Sequence, residues 1–142
     1  MKSVHILLVE DNEGDIFLTT EAFGESKFKY KISIARNGKE AIDFVFQKGN
    51  FKKALTPDLI LLDINLPVKN GLEVLHVLKN DASAKKIPII MFTTSSSKND
   101  INLSYQGHAN CYITKPVDAD DLEKVVNSIE DFWMKTARLP LK

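Results

Sequence analysis

A single cysteine, Cys111, stands in the 142 residues. No internal disulfide can form, in agreement with a reducing compartment. Three histidines, His5, His76 and His108, are scattered without metal-ligand spacing or a thiol cluster, which argues against a zinc site. Net charge is also missing. Basic and acidic residues number 19 each and are interspersed, so the basic footprint of a nucleic-acid binder is lacking. No apolar run approaches a membrane span, and the N-terminus carries no signal-peptide pattern. The expectation is a cytoplasmic chain that engages neither nucleic acid nor membrane. Repeats and low-complexity tracts are absent too, and the length suits one domain over residues 1–142, with 132–142 extending its last helix.

What is present centres on Asp58 to Gly71, where Leu59-Ile-Leu-Leu62 runs straight into Asp63 and then into loop residues. An apolar run without polar alternation reads as a strand buried on both faces, the mark of a parallel sheet between helix layers. Ligands of such sheets bind beyond the carboxyl ends of the strands, where Asp63 would stand. The ordinary alternative for this stretch alone, a turn or helix-capping aspartate, is the lesser reading.

The rest of the chain repeats the pattern. Val4 to Val9 is apolar and ends on Glu10-Asp11-Asn12, with Asn12 or Asp11 in place to cap a helix over Glu13–Glu25. Lys31–Arg36, by contrast, alternates and reads as a second strand. Asn37-Gly38 turns it into a helix with Ala41, Ile42, Val45 and Phe46 on one face, closed by Gly49. Asn70-Gly71 opens a third helix carrying Leu72, Leu75 and Leu78. Ile87–Phe92 and Asn110–Thr114 are further strands, separated by a weak helical segment, Lys98–Gly107. The last helix begins near Asp118 and carries Leu122, Val125, Val126, Ile129, Phe132 and Trp133 in amphipathic register. Five strands alternating with five helices imply right-handed crossovers and a three-layer α/β sandwich.

Placement carries the functional argument. Glu10 with Asp11, then Asp63, Thr93 and Lys115, each follow a different strand and would converge on one sheet edge. Three carboxylates there suit a hard divalent cation such as Mg²⁺, and a hydroxyl and an ammonium supply donors for a phosphoryl group. Singly, each has an ordinary role: a capping pair, a polar loop, a solvated lysine before Pro116. Together they describe a metal-assisted phosphoryl site with a carboxylate able to attack phosphorus.

Leu8-Val-Glu-Asp-Asn12, Leu61-Leu-Asp-Ile-Asn-Leu-Pro67, Asn70-Gly71, Ile90-Met-Phe-Thr93 and Tyr112-Ile-Thr-Lys-Pro116 match, in order and spacing, the motifs of the receiver domain of two-component response regulators, which the chain resembles over essentially its whole length. The resemblance implies a flavodoxin-like (βα)5 fold with strand order 2-1-3-4-5. It makes Asp63 the phosphoacceptor, served by phosphohistidine on a sensor histidine kinase. Mg²⁺, or Mn²⁺ in its place, would be held by Asp11, Asp63 and the main-chain carbonyl of Asn65, with Glu10 acting through a water. Thr93, Lys115 and the backbone amides of Asn65 and Thr94 would hold the phosphoryl oxygens. Thr93 and Tyr112 would form the switch that alters the surface of the fourth helix, fifth strand and fifth helix, and the Lys115-Pro116 bond would be cis.

Departures are few. Glu10 stands where the family usually has aspartate, His108 where glycine is common, and Cys111 where an acid is common. The tail from Phe132 is similar to that of small regulators accompanying phytochrome-type kinases. Phe132 and Trp133 are adjacent on a helix and diverge by about 100°, so one is expected on a homodimer face. A haloacid-dehalogenase-like phosphatase would need a titratable acid two residues after the nucleophile, and Asn65 is not one. A receiver-like interaction module that is never phosphorylated is the other alternative.

Overall fold

Leu59–Leu62 (β3) occupies the middle of a five-stranded sheet with all four side chains fully buried. The structure, a computed structural model, describes residues 3–142. Val4–Val9 (β1), Tyr30–Ala35 (β2), Ile89–Thr93 (β4) and Cys111–Thr114 (β5) complete the sheet. All pairings are parallel and the order is β2-β1-β3-β4-β5, as the resemblance implied. The helices are Glu13–Gly24 (α1), Gly38–Val45 (α2), Gly71–Lys79 (α3), Lys98–Gln106 (α4) and Ala119–Glu130 (α5).

Alternate residues of β1, β3 and β4 feed two cores, which explains why these central strands lack polar alternation. Leu7, Val9, Ile60, Leu62, Ile89 and Met91 pack with Phe44, Val74, Leu75 and Leu78 under α2 and α3. On the other face Ile6, Leu8, Leu59, Leu61, Ile90 and Phe92 meet Ile16, Phe23, Leu122, Val126 and Ile129 under α1 and α5.

Several sequence expectations need correction. In α2 the deeply buried aromatic is Phe44, while Ile42, Val45 and Phe46 pack only partly buried against that core. The helix stops at Val45, so Gly49 does not close it; Gln47, at φ 58°, takes the left-handed position. Leu72 is likewise only partly buried, and Val74 joins Leu75 and Leu78 in the core. His108 follows α4 at φ 72°, a left-handed position of the kind glycine adopts most easily. No peptide bond among the described residues is cis, Lys115–Pro116 included. Trans is the lower-energy isomer of an X–Pro bond by about 0.5–1 kcal/mol.

The C-terminal extension is helical only through Thr136, the last turns being π-helical over Asp131–Thr136. Ala137 is extended, and Leu139 precedes Pro140, which biases it away from helix. The last residues cross the opposite end of the sheet from Asp63. There Lys142 Nζ lies 3.2 Å from Asp58 and donates to the Thr56 carbonyl.

Candidate functional site

Each site residue is carried to one rim by the strand before it. Glu10 and Asp11 follow β1, Asp63 follows β3, Thr93 closes β4, and Lys115 follows β5. Parallel pairing puts these ends side by side: Val9 pairs Leu62, and Thr93 pairs Thr114. The Asp63 amide donates to the Val9 carbonyl at 3.1 Å, and the Lys115 amide donates to that of Thr93 at 2.6 Å.

Two glycines let the β3–α3 loop close tightly. A Cβ on Gly71 would fall 2.0 Å from the Asp63 carbonyl oxygen, and one on Gly38 would fall 2.0 Å from that of Lys69. Any larger residue would displace backbone. Asn70 caps α3 by a reciprocal pairing with Glu73, so the loop is tied at both ends.

Glu10, Asp63, Thr93 and Lys115 are buried, whereas Asp11, Asn65 and Thr94 are exposed. The Lys115 ammonium bridges the acids: it contacts Glu10 directly, lies 3.2 Å from Asp15 Oδ2 and 3.8 Å from Asp63 Oδ2. It also sits 5.5 Å from the centroid of the Phe92 ring. Burial pushes the Glu10 carboxyl up to about 7, against the Lys115 hydrogen bond and with the help of Asp63's charge. Burial of Lys115 works against its charge, yet Glu10, Asp63 and Asp15 outweigh that and hold its pKa above the usual value. These directions pull on one proton. Three facing carboxylates favour keeping it on the lysine, the state used below.

Glu10, Asp11 and Asp63 each offer a carboxylate oxygen, and these lie within 4.8 Å of one another. Such a set of hard oxygen donors, open on the Asp11 side, fits an ion of the Mg²⁺ or Mn²⁺ type. Glu10 is already engaged: Oε2 accepts from the amides of Asp11 (3.1 Å) and Asn12 (3.2 Å), and Oε1 from Lys115. Asp63 Oδ1 accepts from the Ile64 amide at 2.7 Å.

Thr93 is fully buried, its hydroxyl accepting from the Ser95 amide at 3.3 Å. Tyr112 is half-buried against the core under α2 and α3, and its hydroxyl donates to the Ser95 carbonyl at 2.8 Å. Threonine and tyrosine are thus joined through one loop residue. Phe132 and Trp133 divide as their helical spacing requires: Phe132 is 53% exposed, while Trp133 packs against the core beneath α1 and α5.

Sequence reasoning missed Asp15. In the sequence it reads only as an acid favouring the positive end of the first helix.

A parallel sheet in this order, with an acidic cluster, a hydroxyl and an ammonium on one rim, defines a doubly wound α/β protein whose ligand site lies at the carboxyl ends of its strands. The chain belongs to the response regulator receiver domain family, which it matches over residues 6–127. It is 43% identical over 135 residues to response regulator Rcp1 of Synechocystis sp., covering 95% of this chain and 92% of that one. The structure of the phosphorylated cyanobacterial phytochrome response regulator RcpA superposes with a TM-score of 0.95 at 44% identity, over 99% of this chain and all of the other. The Mn²⁺-bound form of Rcp1 gives 0.92 at 42% identity, over 97% and 99% of the two chains. Membership makes this a two-component signalling protein working with a sensor histidine kinase. No helix among the described residues is long and apolar enough to cross a membrane.

Proposed function

We propose that Asp63 receives the phosphoryl group. A carboxylate oxygen attacks phosphorus, the P–N bond to the kinase histidine breaks, and its electron pair returns to the imidazole. Asp11, Asp63 and the main-chain carbonyl of Asn65 would hold Mg²⁺ or Mn²⁺, with Glu10 acting through a water. The bound ion supplies charge neutralisation between the carboxylate and the incoming phosphoryl oxygens. Thr93, Lys115 and the amides of Asn65 and Thr94 bind those oxygens, and the acyl phosphate is later lost to water within the same pocket.

The observation that carries the reading is the gathering of Asp63 with Lys115 at 3.8 Å and with two further carboxylates in metal-donor range. Incubation with acetyl phosphate and Mg²⁺, followed by intact mass, tests it. Wild type gains one phosphoryl group and Asp63→Asn gains none. No gain in wild type overturns the proposal.

Signal output runs from Thr93 through Tyr112 to the surface of α4, β5 and α5. The Ser95 carbonyl that accepts from Tyr112 belongs to the loop that follows Thr93, which supports this route. Likeness to phytochrome regulators supports a phytochrome-type kinase as partner. A homodimer face on α4, β5 and α5 rests on exposed Phe132 at the end of α5. Phe132→Ala should reduce the mass in solution, whereas Trp133→Ala chiefly loosens the core; a monomeric wild type would remove the idea.

A further inference from the structure

Asp15 takes no part in the scheme above, yet it touches the one cation at its centre. It is the third residue of α1, and its amide donates to the Asn12 side chain at 2.9 Å, fixing the helix's first turn. From there its carboxylate reaches Lys115 Nζ at 3.2 Å, remaining 35% exposed. An ammonium has three protons and no lone pair. Two of its contacts here are hydrogen bonds to Glu10 and Asp15, while Asp63 at 3.8 Å lies beyond hydrogen-bond reach. The lysine therefore leans toward the α1 side of the pocket and away from the carboxylate that is to be modified.

We propose that Asp15 is a positioning residue for phosphoryl transfer: it holds Lys115 back from unmodified Asp63 and then competes with the phosphoryl oxygens for the same ammonium. This rests on the reading of Asp63 as phosphoacceptor. With Glu10 and Asp63, Asp15 is also a third negative charge around one lysine. A phosphoryl group arriving as a dianion meets that charge at short range through a partly solvated path. Because the Asp63 carboxylate gives up its own charge in becoming a dianionic acyl phosphate, the net gain is one negative charge, and removing Asp15 favours the phosphorylated form by roughly fivefold at a separation of about 8 Å and an effective dielectric constant near 40. Asp15 thus sets a threshold that keeps the pocket from loading on weak donors.

The test uses the full chain labelled with ¹⁵N-lysine, as wild type, Asp15→Asn, Asp15→Ser and Asp15→Glu. Two quantities are read: the Lys115 ammonium resonance in metal-free, unphosphorylated protein, and the acetyl phosphate concentration giving half-maximal mass gain at fixed Mg²⁺. Expected for Asn and Ser are a displaced resonance and a half-maximal concentration lowered roughly fivefold, with Glu restoring both toward wild type. A role confined to helix α1 would change unfolding and leave the resonance in place. An unmoved resonance in both neutral variants, with half-maximal concentrations at the wild-type value, overturns the inference. A wild-type chain that gains no phosphoryl group overturns the phosphoacceptor reading instead, and the resonance alone then decides whether Asp15 positions Lys115.

Discussion

Replacing Lys115 by Met separates the charge of this side chain from its stem. The lysine is 5% exposed and lies over Phe92, and methionine fills much the same space there. What is lost is the counter-charge of Glu10, which is 3% exposed and keeps only the amides of Asp11 and Asn12 as partners. Even with the ammonium beside it, burial lifts this carboxyl from 4.5 to about 7, so once that counter-charge is gone it is protonated at neutral pH. That protonation caps the cost. Against a wild type in which the Glu10–Lys115 pair is ionised, keeping Glu10 protonated at pH 7, about 2.5 units above its unfolded value, costs at most roughly 3 kcal/mol at about 1.4 kcal/mol per unit, within the range for breaking a buried pair. The folded pKa exceeds the unfolded one, so the native state binds the extra proton and the penalty shrinks as pH falls toward the unfolded value. Urea unfolding with a chelator present should show a loss of about 3 kcal/mol near pH 7, falling to about 1 kcal/mol near pH 5. An equal loss at both pH values would mean that Lys115 stabilises by packing and not as a counter-ion.

Other outcomes follow from particular contacts. Gly71→Ala should cost roughly 3 kcal/mol by overpacking against the Asp63 carbonyl, measured by thermal unfolding; a wild-type melting temperature would contradict the close approach. Buried Glu130 accepts from the Ser26 hydroxyl and from Tyr30 at 2.7 Å. Glu130→Ala should therefore lose about 2–3 kcal/mol in urea unfolding, and a loss under about 0.5 kcal/mol would show the network to be idle. His5 is buried, with Nε2 on Ser33 and, among the described residues, no partner for Nδ1. Burial first, then the charge of Lys31, holds its pKa below 6.5. The unfolded chain then takes up the proton first, and stability falls as pH drops below about 6.5 toward the folded value. His5→Gln should flatten that limb of the stability–pH curve, and a curve parallel to wild type would refute it.

The central strands β1, β3 and β4 were legible because burial on both faces leaves an unbroken apolar run, whereas the edge strand β2 was read from its alternation. Their carboxyl ends could be read too, since each run breaks off at the polar residue that reaches the rim. Helix faces were less legible where a helix ended early. In α2 the missing last turn made Phe46 look central, although Phe44 does the packing. Asp15 and Glu130 escaped for a shared reason. An acid in the first turn of a helix, or one flanked by other polar residues on an amphipathic helix, reads as a solvated charge. Only tertiary packing brings Lys115 to the first and Ser26 with Tyr30 to the second. The exit of the tail from its helix depends likewise on where Lys142 finds Asp58.

Gly38 and Gly71 admit backbone where a side chain would otherwise stand, and so clamp the segment from Asp63 to Lys69 between two helix starts. The pocket thus has one fixed jaw, the strand end and loop bearing Asp63, and one that can travel, the segment after Thr93. On the proposed function, motion that accompanies phosphorylation of Asp63 would be directed sideways, toward Tyr112 and the far edge of the sheet.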